Sequence, residues 1–122
     1  MTFHEALQTH LKALTEKDLT NFLPTVHEEN LSLILPTGSY LNNRQEFESF
    51  HQGWFSDPDW SMHYEVVKTV VTAEMGLALL NVLYNDLDPQ GQPYEKRYYL
   101  TLVFQKQGED WLLVHDQNTF QN

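Results

Sequence analysis

The second half of the sequence contains four long strand-like segments that are separated by very short connections. These segments are Trp60–Thr72, Gly76–Leu87, Tyr94–Gln105 and Asp110–Phe120. The connections cover positions 73–75, 88–93 and 106–109, and the two later ones contain the Gly or Pro residues that favour turns. Because parallel strands need a crossover of a dozen or more residues, connections this short predict an antiparallel meander.

The first half of the sequence carries the start signals of helices. Thr2 and Glu5 match a capping box, and Asn43 with Glu46 repeats the same spacing. The predicted helices are Phe3–Thr15, a short helix after Asp18 that Pro24 interrupts, and a third helix from Arg44 to about Phe55. A short strand at Leu31–Leu35 and its return at Tyr40–Leu41 precede the third helix. Helices followed by strands indicate an α+β fold with the helices on one face of the sheet.

The predicted strands are apolar on both faces. In the third long strand, one face carries Tyr98, Leu100, Leu102 and Phe104, and we expect this face to contact the helices. In the second long strand, Leu77, Leu79 and Leu83 lie opposite the expected core face. A second apolar face needs its own cover, so the sequence predicts a homodimer through the outer face of the sheet. The last strand mixes polar and apolar residues on both faces, and a single β-bulge would exchange them midway.

The composition excludes several classes of function. The net charge of −10 opposes binding to nucleic acid and to anionic membranes, and the absence of cysteine removes disulfides and thiolate chemistry. No apolar run is long enough to span a bilayer, and the start of the chain lacks the features of a signal peptide. We therefore expect one cytoplasmic domain over residues 1–122. The aromatic content of 13% favours either a wide core or a lined cavity.

The last strand contains Trp111, Val114, His115 and Asp116 at the spacing Trp-x-x-Val-His-Asp, followed by Gln117 and Thr119. This motif resembles the end of many members of the nuclear transport factor 2-like superfamily, in its SnoaL-like branch, which read Trp-x-x-Val-His-Asp-His-x-Ser; Gln117 and Thr119 replace the second His and the Ser. The chain is also similar to the association domain of calcium/calmodulin-dependent kinase II. The resemblance implies a cone-shaped, cystatin-like fold. In this fold, three N-terminal helices pack on a strongly curved mixed or antiparallel sheet and enclose a pocket.

The resemblance also implies which residues face that pocket. By position, Val82, Leu102 and Asn118 fall where the kinase association domain carries arginines, and Asp116, Val114 and Leu112 would then point inward. His115 and Gln117 would lie on the dimer face. This chain has no arginine at those three positions, so the implied pocket suits a neutral or cationic ligand better than a carboxylate or a phosphate.

Three residues are candidates for catalysis. A carboxylate lifted out of water could act as a general acid or base, so Asp116 is the first candidate, although it could equally bind a backbone N–H at a wet rim. Tyr84 could donate to a developing oxyanion, or it could be a core tyrosine. His51 could work with Asp116, or it could be a hydrogen-bonded core residue. The candidate ligand-binding residues are Tyr40, Trp54, Trp60, Val82, Tyr98, Leu102 and Asn118.

The sequence leaves two functions open. One is a small-molecule pocket, with cofactor-free acid–base chemistry of the isomerase, dehydratase or hydrolase type on a small neutral apolar ligand. The other is a non-catalytic homodimerisation module.

We expect no metal site, because His63, Glu65, His115 and Asp116 do not converge as three ligands. We expect His4 and His10 to be solvated helix residues.

Overall fold

Six strands form one curved sheet, and the helices cover one side of it. The structure is a computed structural model that describes residues 1–122. The helices are α1 (Phe3–Thr15), α2 (Leu19–Phe22), which continues into a 3₁₀ turn at Leu23–Thr25, and α3 (Arg44–Phe55). The strands are β1 (Ser32–Ile34), β2 (Tyr40–Leu41), β3 (Ser61–Val71), β4 (Met75–Leu87), β5 (Pro93–Gln107) and β6 (Asp110–Phe120). No helix has both the length and the apolar character needed to cross a membrane.

The strand order in the sheet is β2-β1-β6-β5-β4-β3. Strands β3 to β6 form the antiparallel meander that the short connections predict. Strand β1 pairs with β6 in parallel, with Ser32 opposite His115 and Ile34 opposite Gln117, so the sheet is mixed. The two halves of the chain therefore meet at β6, which lies between β1 and β5.

A β-bulge at Val114 exchanges the two faces of β6. Leu102 pairs with Asp116 and Val103 with His115, but Phe104 pairs with Leu113, which leaves Val114 without an opposite residue. Such a bulge bends the strand and reverses the alternation of its side chains. The inward positions implied for Val114 and Leu112 are therefore wrong. Both side chains are only half-buried, whereas Leu113 and Trp111 are buried in the core.

The helix ends follow from capping groups in the sequence. Thr2 and Glu5 form the predicted capping box, with distances of 3.1 and 2.9 Å between each side-chain oxygen and the other residue's backbone nitrogen. Asn43 accepts from the backbone N–H of Glu46 at 2.9 Å and begins α3. The predicted bounds of α1 and α3 are confirmed. Arg44 also holds the start of α3 against the 3₁₀ turn, because its guanidinium donates to the carbonyl of Leu23 at 3.0 Å.

His10 lies in the core, so the prediction that it is solvated is wrong. Its side chain is completely buried between the rings of Phe22 and Phe104. Its Nδ1 lies 2.7 Å from the hydroxyl of Thr25, which in turn donates to the carbonyl of Phe22. Burial lowers the pKa of His10 to about 3 and keeps the ring neutral. The signal was present in the sequence, because His10 follows Phe3 and Leu7 on the apolar face of α1 at helical spacing.

Gly76 lies where β4 passes under the ring of Phe3, and we expect Gly76→Ala to destabilise the fold. An added Cβ would collide with that ring. The ring cannot move freely, because it is buried and packs edge-on against Phe104 and Trp111 at centroid distances of 5.6 and 5.7 Å. Overpacking of this kind costs about 1–3 kcal/mol of unfolding free energy, which urea denaturation can measure.

Gly53→Ala is the matched control for this substitution. Gly53 lies on the exposed side of α3 with nothing within 4 Å of an added Cβ. Alanine is a better helix former than glycine, so this variant should gain roughly 0.5–1 kcal/mol. Equal effects of the two substitutions would contradict the close approach of Phe3 to β4.

Candidate functional site

A cavity of about 270 Å³ lies between the helices and the inner face of the sheet. Eleven of its sixteen lining residues are hydrophobic, so a ligand there would be held mainly by apolar contact. The helices and the segment around β1 contribute Leu14, Leu33, Leu35, Pro36, Phe50, His51 and Trp54; the later strands contribute Met62, Tyr84, Tyr94, Lys96, Tyr98, Leu100, Asp116, Asn118 and Phe120.

Asp116 is the buried acid of this cavity. Its side chain is 7% exposed, and its Oδ1 accepts a hydrogen bond of 2.9 Å from the amide of Asn118. Its Oδ2 has no hydrogen-bond partner in the protein. Burial raises the pKa of Asp116 to about 7, although the Asn118 hydrogen bond acts in the opposite direction. Both protonation states are therefore populated near neutral pH, as a group that gives and takes protons requires.

Asn118 fixes the position of Asp116. Its amide nitrogen donates to the carbonyl of Ile34 on β1 at 3.0 Å as well as to Asp116. The amide thus bridges two strands that are distant in the sequence. Because both of its donated bonds end on protein oxygens, Asn118 holds the acid in place, and its Oδ1 remains as an acceptor.

His51 is a neutral acceptor in the wall of the cavity. Its Nδ1 lies 2.8 Å from the carbonyl of Phe47, and because a carbonyl only accepts, Nδ1 carries the hydrogen. The other ring nitrogen, Nε2, then has a free lone pair. Burial lowers the pKa of His51 to about 4, so the ring is uncharged at neutral pH. His51 and Asp116 therefore line the same cavity as neutral acceptor and titratable acid.

The hydroxyl of Tyr84 is already engaged within the protein. It donates to Oδ2 of Asp86 at 2.6 Å and accepts from the indole N–H of Trp54 at 3.3 Å. Burial and the Asp86 hydrogen bond both raise the pKa of Tyr84. A hydroxyl whose hydrogen is held by a carboxylate does not have the geometry expected of an oxyanion donor. Tyr84 therefore lines the cavity as an aromatic wall.

Tyr98 presents the free hydroxyl that Tyr84 does not. Its side chain is 6% exposed and lines the cavity, and its oxygen makes no hydrogen bond in the protein. Burial and the charge of the Asp116 carboxylate raise the pKa of Tyr98, so the hydroxyl remains a protonated donor. The sequence predicts Tyr98 only as a ligand-binding wall, because alternation along β5 cannot show which hydroxyl lacks a partner.

Four of the predicted ligand-binding residues do not line the cavity. Tyr40 is 58% exposed at the sheet edge, and Val82 and Leu102 are buried in the core beneath the helices. Trp60 lies behind Trp54, with the two rings stacked at 4.2 Å and its indole N–H donating to the Trp54 carbonyl at 2.7 Å. It therefore supports the cavity wall without forming its surface.

At the far end of the cavity, which we define by Tyr94, Lys96 and Phe120, aromatic rings lie beside charged groups. Tyr94 is 38% exposed there, and its pKa is raised by burial and by the carboxylates of Asp86, Asp57 and Asp88. Lys96 lies 5.9 Å from the ring centroid of Phe120, and both residues line the cavity. The structure contains no group of three His, Asp or Glu side chains that could hold a metal ion.

The model of the SnoaL-like domain family matches residues 4–120, and this match confirms the family that the last strand resembles. No curated protein matches the sequence. Among solved structures, a ketosteroid isomerase-like protein from Erwinia carotovora atroseptica aligns with a TM-score of 0.81 and 14% identity, covering 98% of this chain and 93% of that chain.

Two other solved structures are also similar to this chain. A nuclear transport factor 2-like superfamily protein from Salmonella enterica serovar Typhimurium has a TM-score of 0.78 and 14% identity, over 97% of this chain and 87% of that chain. The CaMKII hub of S. rosetta has a TM-score of 0.74 and 19% identity, over 97% of this chain and 93% of that chain. At these identities the likeness confirms the cystatin-like, nuclear transport factor 2-like fold and no activity.

Proposed function

We propose that this chain, which belongs to the SnoaL-like domain family, binds a small uncharged apolar molecule in its cavity and transfers a proton on it without a cofactor. The observation that carries the proposal is the buried Asp116, whose Oδ2 has no partner and whose pKa is raised to about 7. An acid held near neutral pKa in an apolar cavity is the arrangement that general acid–base catalysis uses.

The neighbouring side chains suit three supporting roles. The Asp116 carboxylate takes a proton from a carbon next to a ligand carbonyl, and the electrons of that C–H bond move to the carbonyl oxygen. The Tyr98 hydroxyl donates to that oxygen, where negative charge develops. The neutral Asp116 then returns the proton to another atom of the ligand. Asn118 holds the acid in place, and His51 accepts a hydrogen bond from a ligand hydroxyl.

Hydrogen exchange tests this function without knowledge of the natural substrate. Small apolar ketones are incubated with the protein in heavy water, and deuterium incorporation next to the carbonyl is followed by NMR. We expect exchange above the buffer rate in the wild type and its loss in Asp116→Asn. Equal exchange in both proteins, with the ligand bound, would remove Asp116 from the chemistry.

The outer face of the sheet favours a second function, association with another copy. A shallow apolar groove of about 470 Å³ lies there, lined by Val70, Leu77, Leu79, Val103 and neighbours. Val70 is 48% exposed, and its partner Leu77 is only half-buried. An exposed apolar patch of this kind is typical of a contact surface, and the CaMKII hub is one similar structure. We propose a homodimer through this face, which is compatible with a functional cavity on the other side.

Leu79→Lys tests the association. Leu79 points into the outer groove, so the new charge would lie in the contact and shift the protein from dimer to monomer in sedimentation at micromolar concentration. Glu109→Lys, in the exposed turn before β6, is the control with the same introduced residue. A wild type that sediments as a monomer would rule out the dimer, whatever the variants do.

A further inference from the structure

We propose that the ligand of the cavity is an uncharged aromatic molecule of one or two fused rings that carries a hydrogen-bond-accepting oxygen. This inference rests on the proposed function of the cavity and adds the class of molecule. Four observations support it: the volume of the cavity, the rings that line it, the hydrogen-bonding groups that remain free, and the charges around its far end.

The volume sets the size of the ligand. A dry apolar cavity of about 150 Å³ in another protein accommodates one benzene molecule. The cavity of about 270 Å³ is less than twice that size, so one ring fits loosely and two fused rings fill it. A rigid four-ring molecule exceeds this space. The surrounding core leaves little room to adapt, because the Leu100 and Met62 side chains beneath the cavity are buried.

The lining favours an aromatic ligand over an aliphatic one. Six of the sixteen lining residues are Phe, Tyr or Trp: Phe50, Trp54, Tyr84, Tyr94, Tyr98 and Phe120. Trp54 is held rigidly, because Trp60 stacks on it and its indole N–H is bonded to Tyr84. Rigid rings offer offset-stacked and edge-on contacts to another ring without new ordering of side chains.

The hydrogen-bond donors of the cavity that have no partner in the protein indicate that the ligand carries an oxygen acceptor. The donors of Trp54 and Tyr84 already end on protein atoms, whereas the Tyr98 hydroxyl has no protein partner. The protonated form of Asp116 is a second donor to the cavity. Both donors face the cavity, so a ligand carbonyl or hydroxyl oxygen can accept from them when it displaces water.

The charges favour a ligand without net charge. The Asp86 carboxylate lies 2.6 Å from the Tyr84 hydroxyl at the cavity wall, and Asp57 and Asp88 add negative charge around Tyr94. An anion would meet these carboxylates and the net charge of −10, against one lysine, Lys96. A cation would be attracted by the same carboxylates, but it would have to leave water for a mostly hydrophobic lining that includes Lys96, and the burial of an unpaired charge is unfavourable.

A series of matched ketones tests the size. Dissociation constants of acetophenone, 2-acetylnaphthalene and a four-ring steroid ketone are measured by quenching of tryptophan fluorescence and by calorimetry. We expect the two-ring ketone to bind tightest, and the steroid ketone to bind at least about tenfold more weakly than it. Phe50→Ala should shift the preference toward larger rings, and its half-buried position makes it a mild substitution for the fold. Steroid binding as tight as that of the two-ring ketone would overturn the size assignment.

Matched two-ring probes test charge and polarity. We expect 2-naphthoate and naphthyltrimethylammonium to bind at least about tenfold more weakly than 2-acetylnaphthalene. Tyr98→Phe, which removes one hydroxyl, should weaken 2-acetylnaphthalene and leave its hydrocarbon analogue 2-isopropenylnaphthalene unchanged. Two results would overturn the assignment. One is a charged probe that binds more tightly than 2-acetylnaphthalene, and the other is a Tyr98→Phe variant that loses the same affinity for both neutral probes. Tight two-ring binding with exchange unaffected by Asp116→Asn would instead refute the catalytic proposal and keep this one.

Discussion

Asp116→Asn is expected to lower the rate of hydrogen exchange on a bound ketone by about 10²–10⁴-fold, the usual contribution of a general acid or base. The amide cannot accept and return a proton, yet it has nearly the size of the carboxyl group, and its carbonyl oxygen can still accept from Asn118. Ligand affinity should therefore change far less than the rate. Exchange kinetics by NMR and binding calorimetry on the same samples separate the two quantities.

The pH dependence of the wild type indicates which step Asp116 performs. If abstraction by the carboxylate limits exchange, the rate rises with pH and levels off above the pKa of about 7. If donation by the neutral acid limits exchange, the rate falls through the same range. His51 does not titrate there, because burial lowers its pKa to about 4. A rate with no inflection near pH 7, or full activity of Asp116→Asn, would contradict the assignment.

Much of the fold could be predicted because local signals agree with the tertiary structure. The capping groups of Thr2 and Asn43 set the helix starts, and the short connections impose the antiparallel meander. The sequence could not predict which side chains of β6 point toward the core. Strict alternation of side chains assumes a regular strand, and the bulge at Val114 interrupts that alternation. Asp116 points inward, as the resemblance implies, whereas Leu112 before the bulge does not point inward.

The candidate site was only partly accessible from the sequence. Asp116, His51, Tyr84, Trp54, Tyr98 and Asn118 all line one cavity, although they come from α3, β4, β5 and β6. Sequence patterns show which residues share a face but not which hydroxyl is free, so the roles of Tyr84 and Tyr98 could not be separated. One signal was available, because Asp86 follows Tyr84 on the same face of β4 and could be expected to accept its hydrogen bond.

Asp116 is also expected to destabilise the folded protein above neutral pH. Its pKa is about 7 in the folded state and 3.8 when unperturbed, so between these values the folded state keeps a proton that the unfolded chain releases. Stability from this residue is thus complete below about pH 4 and is lost as pH rises to about 7. The difference corresponds to about 4 kcal/mol of unfolding free energy.

Asp116→Asn should remove this loss, so its stability relative to the wild type should rise by several kcal/mol between pH 4 and pH 8. Urea denaturation at a series of pH values measures the difference. His10 and His51 destabilise both proteins below their ordinary pKa of 6.5, because the folded state holds them neutral, and their contribution cancels in the comparison. Asp110→Asn, at the exposed start of the same strand, is the control with the same substitution. If Asp116→Asn loses activity and gains stability at high pH, the buried acid is retained for chemistry at a cost to the stability of the fold. If the difference in stability between Asp116→Asn and the wild type does not change with pH, the carboxylate is solvated and the cavity is not the apolar site proposed.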